Sequence, residues 1–223
     1  MNQPLKQVQL DLPASPEDIA RLEIGSIVYL DGLVYTGREG VYKRVIEDGF
    51  DIPVDFSGRG NANFHCSPAA AIEPDGSCNV GGVTATASFR FSKWMKRWFE
   101  LSDAKIIIGK GGMSSKDYRE LFVPAGAVYL TTVGYGTGAL LGRGITSVRD
   151  VFWVKELGNA QAMWIFEVRN FGPFLVDSDL EGNSLFAQQG QQINANLEKL
   201  YAGLKPPALS RFGETDDRSD ELI

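Results

Sequence analysis

Residues 105–113 read Lys-Ile-Ile-Ile-Gly-Lys-Gly-Gly-Met. Three consecutive β-branched residues favour a strand buried on both faces, and glycines at 109, 111 and 112 end it abruptly. Ser114-Ser115 then offers a helix start, with Lys116 to Leu121 expected on the helix. A strand that runs through glycines into a helix exposes backbone N–H groups, a geometry that suits an anion, and Lys110 adds a positive charge. It is not a nucleotide P-loop: residue 104 is alanine where that motif needs glycine, and residue 111 is glycine where it needs Ser or Thr. The carboxylate or phosphate of a small metabolite fits these residues, and so does a tight turn with a solvated lysine.

The flanking sequence sets the fold class. Upstream, Ile24–Leu30 and Leu33–Thr36 read as two strands turning at Asp31-Gly32, and Gly40–Glu47 as a short helix stopped at Gly49. Asn63–Cys66 and Val80–Phe89 read as strands around an Asp75-Gly76 turn. The segment 91–101 has helical spacing, with Trp94, Trp98 and Leu101 expected on one face. Downstream, Ala127–Val133, Val148–Val154, Met163–Val168 and Phe174–Asp177 read as strands, and Ser184–Leu204 as a terminal helix. Alternating strands and helices predict an α/β domain. Residues 1–20 read as an N-terminal arm with a helix start at Ser15-Pro16, residues 21–204 as the domain, and 205–223 as a flexible acidic tail of net charge 3 − 5 = −2.

Composition narrows the function classes. A chain of 223 residues with 43% hydrophobic and 22% charged residues is an ordinary globular domain. Its net charge, 22 − 28 = −6, argues against a general nucleic-acid binder. Residues 123–142 carry no charge, but Pro124, five glycines and three threonines favour a strand, a glycine-rich turn and a short helix over a membrane span. The first twenty residues contain no apolar signal core, and the expected compartment is the cytoplasm. Cys66 and Cys78 form no disulfide framework or zinc pattern, and alone they cannot hold an iron–sulfur cluster.

Three further segments carry candidate chemistry. Gly134-Tyr135-Gly136-Thr137-Gly138 lacks the GxGxxG spacing and reads as a glycine-lined turn packed close to neighbouring backbone. Thr84 to Arg90 sets hydroxyls beside an arginine. Gly37-Arg38-Glu39 precedes Tyr42 at a helix start. His65, the single histidine, reads as structural, and no metal site is expected.

Taken in order, these segments resemble the β subunit of two-subunit iron–sulfur hydro-lyases, the family of the class I fumarase C-terminal region and L(+)-tartrate dehydratase β. The family's Arg-Asp-x-x-His segment is similar to Arg38–Tyr42, its Gly-Pro-Thr-Thr-x-x-Arg segment to 84–90, and its Gly-Lys-Gly-Gly-Met stands intact at 109–113, with Arg90 and Lys110 twenty residues apart. Glu-Leu-Gly at 156–158, Phe-Gly-Pro at 171–173 and the Gly-Asn-Ser-Leu ending at Leu185 extend the likeness, which covers roughly residues 22–190. The resemblance implies a swivelling β/β/α domain and reversible addition of water across a double bond in a small dicarboxylic acid. It places the catalytic base on Thr86 and carboxylate binding on Arg38, Arg90 and Lys110 with Gly111. It further implies a [4Fe–4S] cluster held by a partner α subunit, within a higher αβ oligomer, and neither a nucleic-acid nor a membrane partner.

Two cationic anchors suit a dicarboxylate, because a hydrogen bond to a charged group contributes about 1.5–3 kcal/mol. Nearby cations also stabilise a threonine alkoxide. The chain departs from the family at Glu39 and Tyr42, which replace Asp and His and would support the site from behind, and at Ala85, Ala87 and Ser92. A diverged, non-catalytic carboxylate-binding or regulatory module is the alternative those departures raise.

Overall fold

The computed structural model describes residues 5–56, 58–134 and 136–203. Strand β1 (Gln7–Asp11) pairs in parallel with β2 (Ile27–Thr36). Between them lies α1 (Pro16–Ala20), started by a reciprocal Ser15–Asp18 capping box with proline in its first turn. β2 is one ten-residue strand. The expected turn at Asp31-Gly32 is instead a bulge within it, with Gly32 at φ +114° and a register shift against the neighbouring antiparallel strand. A Cβ at Gly32 would lie 2.8 Å from the Leu12 carbonyl oxygen, so glycine serves a close approach here and not a hairpin.

α2 (Glu39–Tyr42) continues into a π-helical turn over Lys43–Glu47. β3 (Ala62–Phe64) leads to a separate hairpin of β4 (Cys66–Ile72) and β5 (Cys78–Ala85), turning at Asp75-Gly76. A 3-10 turn at Phe89–Phe91 enters α3 (Ser92–Ser102), which Asp103 ends in a left-handed conformation. The buried face of α3 is Trp94, Met95, Trp98, Phe99 and Ser102, whereas Leu101 is 38% exposed. The expected Trp94–Trp98–Leu101 face is thus rotated, because an i, i+4, i+7 stripe drifts off a face that also takes Met95 and Phe99.

β6 (Ile106–Gly109) is followed by α4 (Ser115–Asp117), a π-helical turn (Tyr118–Phe122) and α5 (Val123–Ala125). Then come β7 (Val128–Thr132), α6 (Gly138–Arg143), β8 (Ile145–Phe152) and α7 (Val154–Leu157). β9 (Met163–Ser178) is one sixteen-residue strand. The two strands expected at 163–168 and 174–177 are its halves, continuous because β2 pairs along its length while β8 and β7 share the other edge. α8 (Leu185–Tyr201) falls in a second compact unit, and the expected 205–223 tail lies outside the described residues. No described helix is long and apolar enough to cross a membrane, and residues 123–142 divide among α5, β7 and α6.

The main sheet runs β1-β2-β3-β6-β7-β9-β8, and the extra β2–β9 pairing closes β2, β3, β6, β7 and β9 into a ring. The result is a mixed α/β fold around a barrel-like sheet. Alternation divides its apolar residues: Val28, Ile106, Ile108, Val128, Leu130 and Phe166 fill one core. Tyr35, Ile107, Tyr129 and Ile165 meet the aromatic face of α3 in a second. Burial on both faces explains the unbroken Ile106-Ile107-Ile108 run.

Candidate functional site

Arg38 follows β2, His65 follows β3, Lys110 and Gly111 follow β6, and the Gly134–Gly138 turn follows β7. Four of the parallel strands, β2, β3, β6 and β7, therefore deliver a candidate segment to one end of the sheet, the carboxyl end where α/β folds bind ligands. The segment 86–90 is laid across that end by two bonds. Thr86 N–H donates to the His65 carbonyl at 2.6 Å, and Lys110 N–H donates to the Thr86 carbonyl at 3.2 Å, beside a parallel bridge of Ala87 with Lys110.

The structure brings these two candidate segments together. Thr86 is buried at 6% exposure, whereas Arg90, Lys110 and Gly111 are exposed. Gly111 adopts φ +75° with open space around it. Arg90 lies with its guanidinium 5.8 Å from the Phe91 ring centre. Lys110 lines a cleft of about 320 Å³ with Thr84, Thr132 and Thr137. Arg38 is half-buried and donates from Nη1 to Ser67 Oγ and, at 2.6 Å, to the Ala160 carbonyl, while its Nε is buried without a partner among the described residues. Burial lowers its pKa below the usual guanidinium value and Arg90 nearby adds to that, although the neighbouring Cys66 opposes it. Among the described residues, none of Arg38, Arg90 and Lys110 forms an ion pair.

Glu39 and Tyr42 point elsewhere. Glu39 is exposed and paired with Lys43 at 2.7 Å. Tyr42 is fully buried, packed edge-on against Trp98. Its hydroxyl opens a chain of hydrogen bonds of which only Tyr42 was expected at the site. Asn63 Nδ2 donates to the Tyr42 hydroxyl at 2.6 Å, and that hydroxyl meets His65 Nε2 at 2.7 Å. His65 Nδ1 meets Ser88 Oγ at 2.7 Å, and Ser88 Oγ meets the Tyr129 hydroxyl at 2.7 Å. Asn63, Tyr42, His65, Ser88 and Tyr129 all have 0% exposure. Burial, aided by the Arg38 charge, holds His65 down to about 3, so the imidazole is neutral, and burial raises both tyrosines. A Cβ at Gly109 would sit 2.0 Å from Ser88 Oγ and 2.5 Å from the Tyr129 hydroxyl, which explains glycine at the head of the turn.

A second buried group holds the turn's far end. The Tyr118 hydroxyl accepts from Met113 N–H at 2.7 Å and donates to Asp177, which also accepts from Ser184 Oγ at 3.2 Å. The signal available in sequence was slight: Ser88 lies inside the 84–90 segment, but nothing local joins it to residues 65 and 129.

Of the glycines at 134, 136 and 138, the first two have open space where a Cβ would stand, and Gly138 alone packs against neighbouring backbone as expected. A Cβ at Gly138 would lie 2.7 Å from the Val83 carbonyl oxygen, and one at Gly142 would lie 2.8 Å from Gly82 Cα, so α6 meets β5 backbone to backbone. Cys66 is buried at one end of the β4–β5 hairpin, and Cys78 pairs with Ile72 at the other. Six strand residues separate these ends, about 20 Å, so the two thiols do not fit as joint ligands of a cluster.

The model of the fumarase C-terminus family matches residues 1–189. The chain belongs to the fumarase C-terminal family. Members similar to it include the L(+)-tartrate dehydratase subunit beta of Escherichia coli K12, 28% identical over 92% of this chain and 95% of that one. A Methanocaldococcus jannaschii protein provisionally named L(+)-tartrate dehydratase subunit beta is 32% identical over 82% of this chain and 93% of its own length. A longer Geobacillus stearothermophilus protein, provisionally named fumarate hydratase class I, is 30% identical over 91% of this chain, which spans 37% of it.

Proposed function

We propose that this chain is the β subunit of a heteromeric hydro-lyase that reversibly adds or removes water on a small dicarboxylic acid, of the tartrate dehydratase or fumarate hydratase type, in the cytoplasm. The observation that carries the reading is the meeting of two segments at the carboxyl end of a parallel sheet. Lys110 and Thr86 are joined backbone to backbone there, and Arg38 and Arg90 lie near one another. The names of relatives that this chain matches over nearly their full length agree with it.

In this reading Arg90 and Lys110 bind carboxylates through charge-assisted hydrogen bonds, Lys110 beside the open backbone of Gly111. Arg38 offers its remaining donors to the same ligand. Holding both carboxylates sets the carbon that loses a proton against the Thr86 hydroxyl. Thr86 takes that proton as the base, and the surrounding cations stabilise its alkoxide. A [4Fe–4S] cluster on a partner α subunit supplies the Lewis acid for the departing hydroxyl. The swivelling β/β/α arrangement presents this chain's residues to that partner, in a higher αβ assembly. Glu39 and Tyr42 do not speak for the non-catalytic module, because one is paired on the surface and the other is buried behind the site.

The test is anaerobic co-expression with a cluster-bearing α subunit, followed by assays of L-tartrate dehydration and fumarate hydration. Turnover is expected in the wild-type complex and is lost in Thr86→Ala with the complex still assembled. Undiminished turnover in that variant refutes the role of Thr86, and a loaded complex inert to both acids refutes the substrate class.

A further inference from the structure

The buried chain from Asn63 to Ser88 has a direction. The Asn63 Nδ2 group can only donate, so the Tyr42 oxygen accepts from it and sends its single proton to its other neighbour, His65 Nε2. As placed, the Asn63 amide leaves Oδ1 against Gly37 with no partner among the described residues, and turned over it would set Nδ2 there with both its N–H groups unpartnered. A neutral imidazole that accepts at Nε2 carries its proton on Nδ1, and Nδ1–H donates to Ser88 Oγ. Ser88 Oγ also meets the Tyr129 hydroxyl, a bond in which either oxygen can donate.

His65 thus grips the 86–90 segment twice, through its carbonyl to Thr86 N–H and through its ring to Ser88. The space over Gly109 is filled by the Ser88 hydroxyl, so the grip also presses this segment onto the glycine turn that carries Lys110.

We propose that His65 is a positioning residue: a neutral imidazole protonated on Nδ1, oriented by Asn63 through Tyr42, that locks Ser88 and so sets Thr86 and Arg90 against the Gly109–Gly111 turn. The positioning of Thr86 and Arg90 for catalysis rests on the hydro-lyase reading above, whereas the tautomer and its direction do not.

Because His65 is the only histidine, ¹⁵N-histidine labelling of the full chain reads it without assignment. The expected spectrum has a protonated Nδ1 and an unprotonated Nε2, unchanged from pH 8 to pH 5. A proton on Nε2, averaged shifts from a mobile ring, or a titration between pH 6 and pH 7 overturns the proposal. Asn63→Asp, whose carboxylate takes the Tyr42 proton, is expected to move the imidazole proton to Nε2, and an unmoved proton in the folded variant overturns the direction. Should that variant not fold, Tyr42→Phe serves: it leaves Nε2 without a donor, and Nδ1 is expected to keep its proton through the Ser88 bond.

In the α-partnered complex, His65→Asn puts an amide N–H where Nδ1–H stood, and His65→Gln puts one where Nε2 stood. With displacements near 1 Å able to cost about a hundredfold, His65→Gln is expected to lower kcat at least about tenfold with KM little changed, and His65→Asn to restore most of it. Equal kcat losses in the two variants, or losses in neither, refute the positioning role. A wild-type complex that turns over neither acid counts against the function proposed above and leaves the spectrum to decide the tautomer.

Discussion

Lowering the pH from 7 to 4 is expected to destabilise this chain by about 3 kcal/mol through His65 alone. The native imidazole titrates at about 3, whereas an unfolded histidine titrates near 6.5. Between those values the unfolded chain binds one proton that the native state refuses, so native stability falls as the pH falls. The slope is about 1.36 kcal/mol per pH unit, fully developed below the unfolded value, and from 6.5 down to 4 it accumulates to about 3 kcal/mol. For a fold stabilised by about 5–15 kcal/mol that is a large share. Asp18, Glu39, Glu47 and Asp75 have lowered native values from hydrogen bonds, so their contribution is present above the unfolded carboxylate value and is lost as pH falls through the native one. They act mainly below about pH 4.5, and equally in a histidine variant. The measurement is urea unfolding of wild type and His65→Gln at half-unit steps from pH 7.5 to pH 4. The variant starts lower, having lost buried hydrogen bonds, but its stability is expected to stay nearly flat down to about pH 4.5 while wild type declines toward it. Parallel profiles refute the reasoning, since they mean that His65 already takes up a proton in the native state.

Gly109→Ala forces a Cβ to within 2.0 Å of Ser88 Oγ, and a loss of about 1–3 kcal/mol in urea unfolding is expected from overcrowding alone. Trp98→Ala empties a site with 0% exposure between α3 and the barrel and is expected to cost about 3–5 kcal/mol by the same measurement. Lys110→Ala, at an exposed position with no ion pair among the described residues, is expected to leave stability within about 0.5 kcal/mol. In the partnered complex the same change should raise the KM for L-tartrate at least about tenfold, which steady-state kinetics checks.

The legible parts of the fold were those whose signal is local. Ile106-Ile107-Ile108 followed by glycines announced a doubly buried strand and its sharp end, and Ser15-Pro16 announced a helix start that forms with its full capping box. What misled was local chemistry overruled by pairing. Asp31-Gly32 has turn residues, yet β1, β3 and β9 hold both edges of β2, so the glycine makes a bulge and the strand runs on. Residues 169–173 interrupt the apolar alternation of β9, and Asn170 takes a left-handed φ of +47° there, yet the strand resumes because its partner changes from β8 to β7 while β2 pairs on both sides of the break.

The site divides along the same line. Arg38, Thr86, Arg90 and Lys110 sit in short segments with recognisable residue types, and the sheet delivers those segments to one end. The residues behind them are scattered at 42, 63, 65, 88 and 129, and only the closed sheet brings them within hydrogen-bond reach. Tyr42 shows the difference most clearly. As a residue type it can give a hydrogen bond but will not act as an imidazolium, and from sequence that counts against a site for which the resemblance implies a histidine there. In the fold its hydroxyl meets the His65 ring and, in the direction proposed above, gives its hydrogen bond inward, to a histidine whose neutrality follows from burial. Tyr42 therefore acts on the site from behind, through a histidine that holds Thr86 by its N–H bond and Ser88 by the ring.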